Sequence, residues 1–145
     1  MKELYDKFIS LDAEAKKKAH IKACCYSLSV WDKFILDGQY LNYSDSVLSI
    51  KHRIEEGLPK NALQAIMDNA PSKEISELYL EPISALQDMD WETPEHIEYA
   101  YYSIYNAYRK YCEGFDIDDW LIINQSLSSV IMEENRGAIF KKILS

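Results

Sequence analysis

DAEAKKKAHIKACCYSLSVWDKFILDG, residues 12–38, decides the fold class of this 145-residue chain. From Asp12 to Leu36 there is neither glycine nor proline, and the run closes on Asp37-Gly38, a pair expected where a helix stops. At 3.6 residues per turn its apolar residues form two adjoining rows: Ala19, Ala23, Tyr26, Val30, Phe34 and Ile21, Cys24, Leu28, Trp31, Ile35. Lys18, Lys22, Ser29 and Lys33 are left as a narrow polar strip. A helix that is apolar over most of its circumference must be surrounded by others, so residues 12–36 read as the centre of a helical bundle.

Helices are expected on both sides of it. Leu4, Phe8 and Ile9 mark a short first helix. Beyond Gly38, Ser44 is a candidate cap for a third helix carrying Val47, Ile50 and Ile54, ended by Gly57-Leu58-Pro59, and a fourth holds Leu63, Ile66 and Met67. Pro71 or Ser72 opens the next, with Ile75, Leu78 and Tyr79; its stripe continues through Ile83, Leu86 and Met89 past Pro82, which implies a kink or two abutting helices.

Thr93-Pro94-Glu95 combines an N-cap residue, a proline at the first helical position and an acid in the first turn, and Gly114 ends the helix that follows. There Ile97, Tyr101, Ile104, Tyr105, Tyr108, Tyr111 and Cys112 share one face; Tyr99 and Tyr102 fall opposite with Glu95, Asn106 and Lys110, where some exposure is expected. Asp116 is placed as the cap of a helix with the stripe Trp120, Ile123, Leu127, Val130 and Ile131. Asn124 lies beside that stripe, where it would bond between helices. Gly137 precedes a basic last helix with Ile139, Phe140 and Ile143. The expectation is one all-α domain, residues 1–145, an irregular bundle of seven or eight helices.

Composition agrees. Only 4 glycines and 4 prolines leave too little turn chemistry for a multi-stranded β protein. No apolar run approaches the roughly 18 residues of a membrane span, and charges interrupt the first twenty residues, unlike a signal peptide. Three cysteines, two of them adjacent, suit a reducing cytoplasm better than a disulfide framework.

The net charge of −8 is concentrated in one region: residues 68–119 hold 13 acidic side chains against Lys73, Arg109 and Lys110. Such a field disfavours nucleic acid or anionic lipid as a direct ligand and favours a basic protein.

No motif for catalysis, metal or cofactor stands complete. His20 and Cys24 are spaced i, i+4, but no second Cys/His pair exists; both Cys24 and Cys25 are expected to be buried, with His20 at a helix margin. Asp88-x-Asp90-x-Glu92 opens like a calcium loop, yet Thr93 stands where glycine is needed, and this cluster and Asp116-x-Asp118-Asp119 also read as helix caps. Three histidines define no triad, and no glycine-rich phosphate loop is present.

What remains is a surface. Asp88, Asp90, Glu92, Glu95, Asp116, Asp118 and Asp119, interleaved with Trp91, Tyr99 and Tyr102, have the composition of a face that captures a basic protein. Trp91 reads more readily as a core residue packed into a helix junction, because tryptophan is mostly buried in single domains.

The run Tyr101-Tyr102-Ser103-Ile104-Tyr105-Asn106-Ala107, followed by Asp119-Trp120-Leu121-Ile122-Ile123-Asn124-Gln125-Ser126-Leu127-Ser128, resembles the C-terminal pattern of small, acidic, all-helical immunity proteins encoded beside bacterial polymorphic and contact-dependent toxins. The resemblance covers the last third of the chain. It implies a non-enzymatic cytoplasmic inhibitor of one cognate toxin domain, often a nuclease, acting as monomer or homodimer. A self-associating helical adaptor and a carboxylate/metal-dependent hydrolase remain as other readings of the same composition.

Overall fold

A computed structural model describes residues 1–38, 42–45, 50–53, 55–78 and 94–145 of the chain, with 42–45 and 50–53 given by their backbone alone. Helix α1, Lys2–Ile9, leads through a tight turn into the central helix α2, Ala13–Leu36. Asp12 caps α2 by accepting the Ala15 N–H at 2.8 Å, and Gly38, at φ +76°, takes the left-handed conformation that releases the chain. The polar strip lies outward as expected. The innermost row is His20, Cys24, Ser27 and Trp31, all wholly buried.

This corrects two expectations. His20 is not at a margin, because it shares the row of Cys24 and Trp31; Cys25, turned about 100° from Cys24, falls in line with Lys18, Lys22 and Ser29 and is exposed.

The third helix expected around Ser44 and Ile50 is absent. Strands β1, Asn42–Asp45, and β2, Ile50–Arg53, pair antiparallel in the register Asn42↔Arg53 to Asp45↔Ile50. Tyr43 and Ile50 favour extended backbone, and Asn42, Ser44 and Asp45 are poor helix formers, so together they prevail over a single cap signal. Val47, Ile54, Tyr79, Pro82 and Thr93, each assigned a part in the expected helices, lie outside the described residues.

Helix α3, Leu58–Asp68, carries Pro59 in its first turn and ends at Asn69, also left-handed at φ 50°. It buries Leu58, Leu63 and Ile66, whereas Met67 is exposed. Residues 73–78 form α4, opened by Ser72, whose hydroxyl accepts the Ile75 N–H at 3.4 Å.

Helix α5, Glu95–Cys112, begins one residue later than the proline rule suggests, with Pro94 in the cap position, and ends at Gly114 (φ +75°). Helix α6, Asp119–Ser128, is capped by Asp118, which accepts the Trp120 N–H at 3.3 Å; Asp116 is not the cap. A 3-10 turn, Glu133–Asn135, leads into α7, Arg136–Leu144.

Among the described residues the architecture is therefore seven α-helices with one two-stranded ribbon, an all-α bundle. No described helix is long and apolar enough to cross a membrane. Contacts along the chain set the helix directions. Cys24 and Ser27 meet Ser103 while Trp31 meets Tyr101, so α5 runs antiparallel to α2. Lys110 meets Asp119 and Asn106 meets Gln125, so α6 runs antiparallel to α5.

Helix α2 contributes to two apolar clusters. Trp31 and Phe34 join Leu58, Leu63 and Ile66 of α3 and Ile97, Tyr101, Ile104 and Tyr108 of α5. Ala19 and Ala23 join Phe8, Ile123, Leu127, Phe140 and Ile143. Between the clusters runs a chain of wholly buried hydroxyls: Ser103 donates to Ser27 (2.6 Å), Ser27 to Ser126 (3.1 Å) and Ser126 to the Ala23 carbonyl (2.8 Å).

Two further residues depart from the sequence pattern. Asn106, expected outside, is buried against α6, where its amide donates to Gln125 at 2.8 Å; Asn124, expected inside, is exposed. Each shift follows from α6 facing α5 with Ile122, Gln125 and Ser126 as well as with the stripe of Ile123.

Tyr108 ties α4 down. Its hydroxyl donates to the Ser72 carbonyl (2.8 Å), accepts the Ser72 N–H (3.1 Å) and lies 3.1 Å from Ser76 Oγ. Tyr108→Phe keeps the ring in place and strands those partners, so we expect a loss of about 1–2 kcal/mol in chemical denaturation. An unchanged midpoint would show that α4 docks without this bond.

Candidate functional site

The antiparallel course of α5 and α6 decides where the acids go. Glu95, Glu98, Tyr99 and Tyr102 recur at i, i+3, i+4 and i+7 along the first half of α5 and share one face. Both tyrosines are half-buried, as expected. Hydrogen bonding to the Glu95 carboxylate, and then its charge, raises the Tyr99 phenol; burial, and then Glu98, raises that of Tyr102. Burial, with Glu95 beside it, also pushes the Glu98 carboxyl up.

Asp116, Asp118 and Asp119 stand at the other end, beside the last turn of α5. Fifteen residues separate Glu95 from Lys110 on one helix, roughly 22 Å of axis, and Asp119 pairs with Lys110. The described members of the expected face thus fall into two groups at opposite ends of the bundle. Asp88, Asp90, Trp91 and Glu92 lie outside the described residues.

The Asp119 end is internally satisfied. Its carboxylate meets Lys110 at 3.1 Å and Lys16 at 3.6 Å. Burial alone would raise this carboxyl, but the hydrogen bond and charge of Lys110, with Lys16, bring it below the ordinary carboxylate value. Behind it, His20 Nε2 lies 2.8 Å from the Asp119 carbonyl and Nδ1 lies 2.7 Å from the Tyr111 hydroxyl. A carbonyl can only accept, so Nε2 carries the proton and the neutral ring accepts from Tyr111 at Nδ1. Burial, outweighing these neighbours, lowers the histidine below 6.5.

The Glu95 end is open. A groove of about 480 Å³ runs between Tyr26, Val30 and Phe34 of α2, Ile97 at the start of α5, and the Val130–Met132 turn after α6. His96 and Ile131 separate it from a second hollow of about 360 Å³ that reaches Glu95, Tyr99 and Arg136. Three large apolar side chains are left in solvent at this end: Leu36 (85% exposed), Ile131 (71%) and Met132 (53%).

Ile131 was expected on the inner stripe of α6. The helix stops at Ser128, and the chain turns before Ile131 can continue the stripe. Asp37 and Lys33 line the groove and Glu95 and Arg136 the second hollow, with Glu98 beside Glu95, Glu133 4.0 Å from Arg136, and Glu134 next to Glu133 in the chain. Sequence reasoning missed the groove, although Val130-Ile131-Met132 followed by Glu133-Glu134 is a recognisable signal: an apolar run past a helix end, edged by acid.

Among the described residues no group of three or more His, Cys, Asp or Glu side chains is arranged to hold a metal ion. Cys24, Cys25 and Cys112 are free thiols, and burial raises all three above their ordinary value. Comparison with protein-family models, with characterised proteins and with solved structures yields no match.

His20 gives the fold a pH dependence of defined sign. Its folded-state pKa lies below the unfolded value of 6.5, so the unfolded chain binds more protons between the two. Stability is complete above that value and falls as pH drops toward the folded pKa. His96, lowered by burial, adds in the same direction. Urea unfolding at about pH 7 and about pH 5 should show wild type losing stability in acid and His20→Gln losing less. An equal loss in both would exclude His20 as the source.

Proposed function

We propose that this domain is a protein-binding inhibitor of the immunity type, which captures a basic protein at the end of the bundle where α5 begins. The supporting observation is the coincidence of an apolar groove, large exposed apolar side chains and an excess of carboxylates at that end. Exposed apolar patches rimmed by polar groups are characteristic of protein contacts, and half-buried tyrosines supply anchor area at low entropic cost. Ile131 and Met132 would enter the partner's surface, and the flanking acids would steer and orient its cations.

The partner class follows from the charge. A nuclease toxin gathers Lys and Arg around its cleft to hold phosphates, and this acidic surface is complementary to such a rim. The resemblance of the last third to immunity proteins points the same way, with the producing cell's cytoplasm as the place of action. A second copy of this chain is a poorer occupant. A two-fold interface would bring Glu95, Glu133 and Glu134 close to their own images, and like charges brought together across an interface cost several kcal/mol.

The test uses the protein encoded beside this one. Purified wild type should bind it, and Glu95→Lys, Glu133→Lys and Glu134→Lys combined should weaken binding about tenfold or more, chiefly by slowing association in a salt-dependent way. Asp116→Lys, at the far end, should leave affinity unchanged. A folded triple variant with undiminished affinity would reject this surface, and light scattering that gives a dimer sensitive to Ile131→Asp would favour self-association.

A further inference from the structure

A separate hollow of about 300 Å³ lies on the opposite end of α5, against α4. Among its lining residues is Arg109, whose guanidinium carbon sits 4.4 Å from the Phe115 ring centroid and 5.4 Å from that of Tyr105. The backbone holds this arrangement in place. At Gly114 the chain reverses in the left-handed conformation, and the Phe115 N–H returns to the Arg109 carbonyl at 3.0 Å, laying the phenyl ring over the side chain of the same residue.

Arg109 makes no ion pair among the described residues, although Glu113 is one turn along the helix and lines the same hollow. The other rim charges, Lys73 and Glu77, pair with each other at 3.8 Å. A planar, permanently charged fork is therefore oriented by two rings, and no described residue pairs with its N–H edges. Phe115 stays 50% exposed beside it.

We propose that Arg109, Tyr105 and Phe115 form a binding site for a small organic monocarboxylate with an aromatic or apolar body. The guanidinium fork, backed by Tyr105, matches a carboxylate with two parallel N–H···O bonds, and the exposed Phe115 ring receives the apolar body. Among the described residues lining the hollow, one cation without an ion pair, flanked by Glu77 and Glu113, matches one negative charge rather than the two of a phosphate monoester. The volume suits a ligand of about one ring, at the lower bound of ordinary small-molecule sites. This site is independent of the protein-binding surface at the Glu95 end.

The experiment is a titration of the isolated full chain with benzoate, followed by amide NMR, beside the neutral isostere benzamide and inorganic phosphate. Benzoate should give saturable shifts centred on Arg109 and Phe115, with benzamide and phosphate each about tenfold weaker or more. Arg109→Lys, which keeps the charge but loses the fork, should weaken benzoate about tenfold, and Phe115→Ala, at an exposed position, should weaken it as well. Equal binding of benzamide, benzoate affinity unchanged in folded Arg109→Lys, or no saturable shift at all overturns the proposal. Tighter phosphate than benzoate also overturns it, in favour of a phosphoryl ligand.

Discussion

Where α2, α5 and α6 approach one another, three buried serine hydroxyls hand hydrogen bonds from Ser103 to Ser27 to Ser126 and finally to the Ala23 carbonyl. Serine and alanine at Ala23, Ser27, Ala100, Ser103, Ala107 and Ser126 leave little side chain between the backbones, so the helices can pack closely there. Each hydroxyl has a partner, which is the condition under which a polar group belongs in a core. Because the chain of bonds is directional, it fixes the helices in both axial position and rotation. The larger residues above and below, Trp31 with Tyr101 on one side and Phe8 with Phe140 on the other, then fill a geometry already set.

That arrangement also separates the two ends of the bundle chemically. With α5 antiparallel to its neighbours, the carboxylates of residues 95–98 and of residues 116–119, close in sequence terms, emerge at opposite ends. At one end Lys16, Lys110, Asp119, His20 and Tyr111 consume each other's hydrogen-bonding capacity. At the other, Glu95 and the apolar side chains of Leu36, Ile131 and Met132 face solvent. The same acidic composition therefore yields an end whose carboxylate is neutralised by its neighbours and an end whose carboxylates stand beside exposed apolar side chains.

Much of this was legible in the sequence, for reasons that can be named. Helix α2 could be read because 24 helical residues pass without a breaker and the period has room to declare itself. The short α6 could not be phased as securely: ten residues leave an error of one position, about 100°, undetected, which is the difference between Asn124 and Gln125 as the amide that meets α5. The hairpin was missed because a serine before apolar residues suits either a helix cap or a strand. The candidate face was only half legible. Counting acids gave the sign of the field, but which end each acid occupies depends on helix direction, and His20, Ser27, Ser103 and Ser126 have partners 76 to 103 residues away.

The division of the core into two clusters carries an optical consequence. Trp31 lies in the cluster shared with α3 and α5, its ring 5.6 Å from Tyr101; Trp120 borders the cluster of α1, α6 and α7, its ring 5.6 Å from Phe140. Each half of the interior thus contains its own intrinsic fluorophore, and single-tryptophan variants would report the halves separately. Helix α2 belongs to both, and the serine relay bridges them, so the two emission signals ought to change together on melting, as one cooperative unit rather than two.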